Sequence, residues 1–165
     1  MRGLEPEAWP DLSDASLIAG AAEWLTPWLH GMTRIADAAS LDMAAMLRAR
    51  LTHDQAVRLD RDLPPALALP HGGAPIDYTQ PVPVAEARAQ AFYGMTATPV
   101  LARGRVPLRL CLLSPAGRPI AVTADLAGFW RGAWADARRD MRGRYPKHDW
   151  PENPEHAQRP ASHAR

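Results

Sequence analysis

Two apolar runs near the middle of the chain decide the β part of the fold. They are Val106-Pro107-Leu108-Arg109-Leu110-Cys111-Leu112-Leu113 and Arg118-Pro119-Ile120-Ala121-Val122-Thr123, and Ser114-Pro115-Ala116-Gly117 joins them. The runs have the length and composition of short strands, and the linking tetrapeptide carries the proline and glycine that favour a turn. We therefore predict two strands, at residues 106–113 and 118–123.

The sequence on the N-terminal side of these runs predicts three more short strands and one helix. The five strands are expected at residues 66–69, 75–78, 99–103, 106–113 and 118–123. Pro83 at a first helical turn and Gly94 at an end bracket a helix at residues 84–93. Five short strands with a helix between the second and third indicate a small OB-like β-barrel.

The first sixty residues have helical spacing. Leu17, Ala21, Trp24 and Trp28 recur at intervals of four, three and four, which places them on one helical face and favours a role in the core. The segment Thr52-His53-Asp54-Gln55 matches the capping box that opens a helix. We predict a small helical subdomain at residues 1–63, followed by the OB-like domain at 64–151.

A long amphipathic helix is predicted to close the OB-like domain. It would begin at Thr123 or Asp125 and carry one apolar stripe, formed by Leu126, Trp130, Ala133, Trp134, Ala137 and Met141. Residues 142–151, Arg142-Gly143-Arg144-Tyr145-Pro146-Lys147-His148-Asp149-Trp150-Pro151, follow it and are called the strap here. Gly143 is expected to end the helix and Pro146 to prevent its return. Residues 152–165 are polar and are expected to be a disordered tail.

Charge is segregated along the chain, although the net charge is only +1. Residues 1–102 hold seven Arg against twelve acids, a net of −5, whereas residues 103–148 hold nine Arg and one Lys against three Asp, a net of +7. A basic half on a nearly neutral chain is typical of a protein that binds a polyanion. A solvated helix face, with cations complementing the helix dipole, is the structural alternative.

The strap admits two interpretations. Guanidinium groups beside flat rings on a stiff segment suit phosphate and base contact. Alternatively, Tyr145 and Trp150 lie against the core while the charges face water. The candidate nucleic-acid-binding residues are Arg138, Arg139, Arg142, Arg144, Tyr145, Lys147, His148 and Trp150.

Other classes of site lack their sequence signals. The six histidines and the single Cys111 do not have zinc-ligand spacing, and one cysteine cannot form an internal disulfide. Asp60 and Asp62 are best interpreted as solvated ion pairs, and Asp77 as a strand-end hydrogen-bond acceptor or, less simply, a functional acid. The chain contains no phosphate-binding Gly-x-x-x-x-Gly-Lys motif, no nucleophile elbow, no signal peptide and no membrane-spanning run. We expect no catalytic residue and no metal site, and a cytoplasmic location.

Three blocks of sequence resemble the C-terminal domain of bacterial HrpB-type ATP-dependent helicases. They are Leu113-Ser114-Pro115-Ala116-Gly117-Arg118-Pro119, Thr123-Ala124-Asp125-Leu126-Ala127-Gly128-Phe129-Trp130, and Gly143-Arg144-Tyr145-Pro146-Lys147-His148 with Trp150-Pro151. Supporting matches are Glu23-Trp24-Leu25 with Pro27, Pro75-Ile76-Asp77-Tyr78, Thr98-Pro99 and Gly104-Arg105.

The resemblance implies part of a DEAH/RHA-like RNA helicase of superfamily 2, whose two RecA-like domains bind ATP and Mg²⁺. This sequence lacks those domains, so it is expected to need no cofactor and to be inactive as an ATPase alone. Two functions follow as hypotheses: binding of RNA or single-stranded nucleic acid by the basic surface, or docking on the RecA-like domains of the parent helicase. An independent enzyme has no supporting motif.

Overall fold

The structure is a computed structural model of the chain, and it describes residues 1–157 apart from the side chain of Ile35. The chain divides into two compact units, residues 1–61 and the chain from residue 62 onward. The predicted division at residue 63 stays a prediction.

The first unit consists of short helices: α1 (Asp14–Ala19), α2 (Ala21–Trp24), α3 (Met43–Arg48) and α4 (His53–Asp62), whose last residue belongs to the second unit. Short 3₁₀ segments lie at Pro6–Ala8, Thr26–Trp28 and Ile35–Ser40. The capping box is confirmed, because the Gln55 N–H donates to Thr52 Oγ1 at 3.2 Å and the Thr52 N–H donates to Gln55 Oε1 at 2.9 Å. Trp28 is 41% exposed, so its predicted place in the core is wrong.

The second unit contains one five-stranded mixed sheet. Its strands are β1 (Ala66–Leu69), β2 (Gly72–Asp77), β3 (Val84–Arg88), β4 (Arg109–Leu113) and β5 (Pro119–Thr123), and they lie in sequence order. All neighbours are antiparallel except β3 and β4, which are parallel. Among the described residues the sheet stays open, with β1 and β5 at its edges, so the predicted OB-like barrel is not supported.

Two predicted elements of this unit have the wrong type. Residues 84–93 form β3 and a 3₁₀ turn (Ala89–Phe92) where a helix was predicted. The alanine-rich sequence favours a helix locally, but β3 lies between β2 and β4 and buries Ala85 completely, so tertiary pairing overrides propensity. The predicted strand at residues 99–103 is a loop that runs into a 3₁₀ turn at Ala102–Gly104, and Leu101 forms an isolated antiparallel bridge with Val106.

The predicted long C-terminal helix is two helices, α5 (Leu126–Arg131) and α6 (Trp134–Arg144). Gly132 separates them with φ −114° and ψ −94°, outside the helical region. Gly143 stays inside α6, so its predicted role as helix terminator is wrong. The helix ends instead at Arg144, because Tyr145 precedes Pro146 and has the non-helical angles φ −132° and ψ 64°.

The core lies between one face of the sheet and the two C-terminal helices. It contains apolar residues of alternating strand positions, of the 3₁₀ turn and of α5 and α6, including Leu67, Ile76, Ala85, Phe92, Tyr93, Leu110, Leu112, Leu126, Trp130, Trp134 and Met141. Residues 152–157, the described part of the predicted tail, include a 3₁₀ turn at Pro154–His156, and the carbonyl of buried Pro154 accepts from the Gly94 N–H at 2.8 Å. The rest of the predicted tail lies outside the described residues.

Candidate nucleic-acid interface

Trp150 anchors the strap to the core. Its side chain is 4% exposed and its ring lies 6.1 Å from that of Trp134, with the two planes at 40°. The indole Nε1–H donates to the Tyr145 carbonyl at 3.0 Å. A base can stack only on an exposed ring face, and the Trp150 ring is buried, so the structure places Trp150 as a brace of the strap. Its predicted nucleic-acid contact stays a prediction.

Arg138 is also a structural residue. Its Nε–H donates to the Trp150 carbonyl at 2.7 Å, and its Nη2 lies 3.1 Å from Glu152 Oε1. The side chain is only 21% exposed. Because its Nε and Nη2 groups are used within the fold and little of the side chain is exposed, Arg138 holds the strap in place. Its predicted phosphate contact stays a prediction.

Arg139 and Arg144 lie on the exposed side of α6 and pair with acids of the same helix. Arg139 Nη1 is 3.0 Å from Asp136 Oδ1, and Arg144 Nε is 2.9 Å from Asp140 Oδ1. Exposed pairs of this kind contribute about 0.3–0.5 kcal/mol. Such weak pairing leaves both guanidinium groups able to exchange a carboxylate for a phosphate.

Arg142, Lys147 and His148 are exposed at the end of α6 and in the strap. Arg142 and Lys147 make no ion pair with another residue of the described chain, and the His148 ring meets the Tyr145 ring edge-on at 6.2 Å. The C-terminal end of a helix carries partial negative charge, which accounts for part of the preference for cations here. The helix dipole alone does not require three cations, Arg142, Arg144 and Lys147, at this end of α6.

Tyr145 is half-buried and is held by three backbone hydrogen bonds. Its N–H donates to the Met141 carbonyl at 2.7 Å, and its carbonyl accepts from Trp150 Nε1 at 3.0 Å and from the His148 N–H at 3.1 Å. The backbone that carries the ring is therefore fixed beside the end of α6, which reduces the backbone ordering needed when a ligand contacts Tyr145.

Arg118 joins this region although the sequence prediction missed it. Buried Ser114 fixes its backbone twice: the Ser114 N–H donates to the Arg118 carbonyl at 2.8 Å, and the Arg118 N–H donates to Ser114 Oγ at 3.1 Å. Gly117 makes the turn with φ +75°. The Arg118 side chain is exposed and has no ion pair within residues 1–157. Its place in the basic stretch 103–148, after a turn glycine, is the signal that could have identified it.

A cleft of about 220 Å³ brings these groups together. Arg118 lies on one wall, and Arg144 and Tyr145 lie on another; the remaining lining residues are Ser114, Pro119, Ile120, Ala137, Asp140 and Met141. We call it the Arg118–Tyr145 cleft. Two guanidinium groups and a half-buried ring can bind one phosphate and contact one base, respectively.

Tyr93 connects the strap to the buried aromatic residues of the core. It is fully buried, its ring packs edge-on against Trp130 at 6.3 Å and Trp134 at 5.9 Å, and its hydroxyl donates to the Asp149 carbonyl at 3.2 Å. Burial, and secondarily the Asp149 carboxylate, raise the pKa of Tyr93 far above the ordinary value for tyrosine. The neutral phenol is thus built into the fold.

The other candidate groups have structural explanations. Asp77 Oδ1 accepts hydrogen bonds from the Thr79 hydroxyl at 2.6 Å and from the Thr79 N–H at 2.8 Å. These two bonds lower the pKa of Asp77, and they match its interpretation as a strand-end acceptor. Asp60 pairs with Arg48. Burial, with the nearby Glu86, raises the pKa of Cys111 to about 11, so the thiol is not activated.

No three metal-ligating side chains come together among residues 1–157. In the same part of the chain no helix is long and apolar enough to span a bilayer.

The sequence and the fold match known proteins. The family model described as "ATP-dependent helicase C-terminal", HrpB_C, matches residues 24–154. The chain is 43% identical over 148 residues to the ATP-dependent RNA helicase HrpB of Escherichia coli strain K12, covering 88% of this chain and 18% of that protein.

Two crystal structures share the fold. The E. coli DExH-box NTPase HrpB superposes with a TM-score of 0.86 at 39% identity, covering 94% of this chain and 20% of that one. The E. coli DEAH/RHA helicase HrpB gives a TM-score of 0.72 at 38% identity, covering 90% and 19%. The chain therefore spans about a fifth of the length of the relatives it matches.

Proposed function

Because the chain belongs to the family of C-terminal domains of HrpB-type ATP-dependent helicases, we propose that it is a part of a helicase that binds single-stranded nucleic acid. RNA is the ligand that we propose first. The E. coli relative is named as an RNA helicase, which is the reason to place RNA first. The bound strand would contact the Arg118–Tyr145 cleft and the exposed cations beside it.

The observation that carries this proposal is the convergence of Arg118, Arg144 and Tyr145 on one cleft. Arg118 comes from the turn between β4 and β5, whereas Arg144 and Tyr145 come from the end of α6. Helix-dipole complementation would explain cations on α6 alone, but it gives no reason for an arginine from a separate element to lie across from them. A polyanion explains both.

The charge balance supports the same function. Arg142, Arg144 and Lys147 surround the end of α6, and only Arg144 has an acidic partner, Asp140, among the described residues. Together with Arg118 they provide four cations. Neutralising single-stranded phosphates releases about 0.7 counterion per contact, so four contacts give a slope of about −3 for log K against log salt.

Fluorescence anisotropy of a labelled single-stranded RNA at several salt concentrations tests this function. We expect salt-sensitive binding that the double reversal Arg118→Glu with Arg144→Glu strongly weakens, without a change in the far-UV circular dichroism spectrum. Arg50→Glu combined with Arg131→Glu is the matched control, since both are exposed arginines outside the cleft and the pair changes the net charge by the same amount. Equal loss of binding in the control and in the double variant would show that net charge, rather than the cleft, governs binding.

A second function, docking on the rest of the helicase, is favoured by the first unit. Its buried apolar side chains are Trp9 and Met46 alone among its described residues. Large apolar side chains are exposed instead, namely Ile18, Trp28, Leu29, Met43 and Val57. Two apolar clefts of about 270 and 450 Å³ share Leu12, Leu51 and Leu59. This much exposed apolar surface on 61 residues is typical of a surface that another protein part covers.

Titration with the separately expressed RecA-like domains tests docking. Val57→Asp should weaken the complex without unfolding the unit, since Val57 is 53% exposed. Val122→Asp is the control, because Val122 lies on β5 of the second unit and is 56% exposed. Equal affinity of both variants for the RecA-like domains would argue against this surface.

A further inference from the structure

The loop between the 3₁₀ turn at Ala89–Phe92 and β4 presents two arginines on a fixed base. Residues 101–106 are called the basic loop. Leu101 and Val106 pair across its base, and Leu101 and Ala102 are buried. Arg103 and Arg105 are exposed at the tip. The loop is therefore anchored in the core and directs its charged end toward solvent.

The tip has an unfavourable backbone conformation. Ala102, Arg103 and Gly104 have φ of +47°, +59° and +84°, and within residues 1–157 Ala102 and Arg103 are the non-glycine residues with positive φ. Side chains with a Cβ disfavour this left-handed region. A conformation of this kind persists where the surroundings impose it, and such positions cluster at functional sites.

Backbone hydrogen bonds occupy three amides at the tip, and the Arg105 Nε–H also donates to the Ala102 carbonyl at 3.3 Å. The N–H of Gly104 donates to the Leu101 carbonyl at 2.9 Å, that of Arg105 to Ala102 at 3.3 Å, and that of Val106 to Leu101 at 3.3 Å. A backbone anion site is therefore excluded at these amides. An anion approaching the tip would meet the guanidinium of Arg103, which has no ion pair with a described residue.

A third arginine continues the charge onto the sheet. Residues 103–109 read Arg-Gly-Arg-Val-Pro-Leu-Arg and contain no acid. Arg109 is exposed at the start of β4, where Val84 is its partner on β3. Ser114, which lines the Arg118–Tyr145 cleft, follows the other end of β4. Arg109 and Leu113 are about 13 Å apart along the strand.

We propose that Arg103, Arg105 and Arg109 form a second phosphate-binding site for the same single-stranded nucleic acid, at the end of β4 opposite the Arg118–Tyr145 cleft. This inference rests on the proposed nucleic-acid-binding function and extends it. The strand would be held at two points by side-chain contacts to phosphate, so the site reads the backbone rather than the base sequence.

Anisotropy titrations of the full chain with labelled single-stranded RNA test the second site. Arg103→Ala combined with Arg109→Ala removes two contacts and should make the salt slope shallower by about 1.4. The affinity ratio between the unchanged chain and this variant should then fall about sevenfold between about 50 mM and about 200 mM salt. The matched control is Arg50→Ala with Arg131→Ala, two exposed arginines outside both basic regions, which should retain the unchanged slope.

Arg103→Gly separates a binding role from a purely structural one. Glycine accepts a positive φ without strain, so the midpoint of thermal unfolding should rise while RNA affinity falls. A higher midpoint with unchanged affinity and slope would overturn the proposal.

Failure of the second site and failure of the general function give different results. No RNA binding by the unchanged chain at any salt concentration overturns both. Binding that the Arg118 and Arg144 reversals weaken, but that the Arg103 and Arg109 variant leaves unchanged, overturns the second site alone. If the loop variant instead weakens binding to the RecA-like domains only, the loop is a protein contact and the proposal is wrong.

Discussion

Replacement of Trp150 by alanine should destabilise the second unit strongly. The change removes a side chain that is 4% exposed and packs on Trp134, and it leaves the Tyr145 carbonyl without the indole donor at 3.0 Å. Truncation of a buried tryptophan costs about 3–5 kcal/mol. The free energy of unfolding of a native protein is about 5–15 kcal/mol, so the variant should lose a large part of its stability.

Urea-induced unfolding followed by far-UV circular dichroism measures this loss without depending on tryptophan fluorescence. Trp28→Ala is the matched control, because the same atoms are removed from a side chain that is 41% exposed, and it should cost about 1 kcal/mol or less. Trp150→Phe keeps an aromatic ring but loses the donor, and it should lie between the two.

The opposite pattern would refute the reasoning. If Trp150→Ala lost less than about 1 kcal/mol and the folded variant bound RNA much more weakly than the unchanged chain, Trp150 would be a base-stacking residue rather than a brace.

Four further changes test particular contacts. Burial raises the pKa of Tyr93, so the stability that its neutral phenol provides is complete below the ordinary tyrosine pKa of about 10 and is lost as pH rises above it. Denaturation midpoints measured from about pH 9 to about pH 11 should therefore fall less steeply for Tyr93→Phe than for the unchanged chain. Parallel curves for the two proteins would contradict this. Gly143 lies inside α6 with open space at its Cβ position, so Gly143→Ala should raise stability by up to about 1 kcal/mol in thermal unfolding. Gly128→Ala should instead lower stability, since its Cβ would clash with Oδ2 of the capping residue Asp125; a gain in stability for this variant would contradict the capping role of Asp125. Thr52→Ala should cost about 1 kcal/mol in urea unfolding by removing half of the capping box, and no loss would show that Gln55 alone suffices.

Local chemistry explains which elements of the fold could be predicted from the sequence. The capping box at Thr52 and the turn at residues 114–117 depend on neighbouring residues alone, and both regions fold as expected. Residues 84–88 could not be predicted as a strand, because two partner strands impose that conformation on a sequence that favours a helix. Closure into a barrel likewise depends on long-range pairing of edge strands, which periodicity does not encode.

The candidate site was predictable in charge but not in geometry. The count over residues 103–148 located the cations correctly along the chain, yet it could not separate Arg138, which holds the strap, from Arg144, which faces a cleft. Arg118 was missed because its contribution depends on a turn meeting the end of α6. For Trp150 the sequence and the structure point to different roles. In the sequence, an aromatic residue among cations suggests base stacking, whereas in the structure the side chain is buried.

The most direct test of nucleic-acid binding is the salt dependence of the affinity of the unchanged chain for single-stranded RNA. Arg118, Arg142, Arg144 and Lys147, in and beside the Arg118–Tyr145 cleft, predict a slope of about −3 for log K against log salt, and the three arginines of the second site would bring it to about −5. Binding that is absent, or that stays constant as salt is raised, would contradict the assignment of this basic surface to nucleic acid.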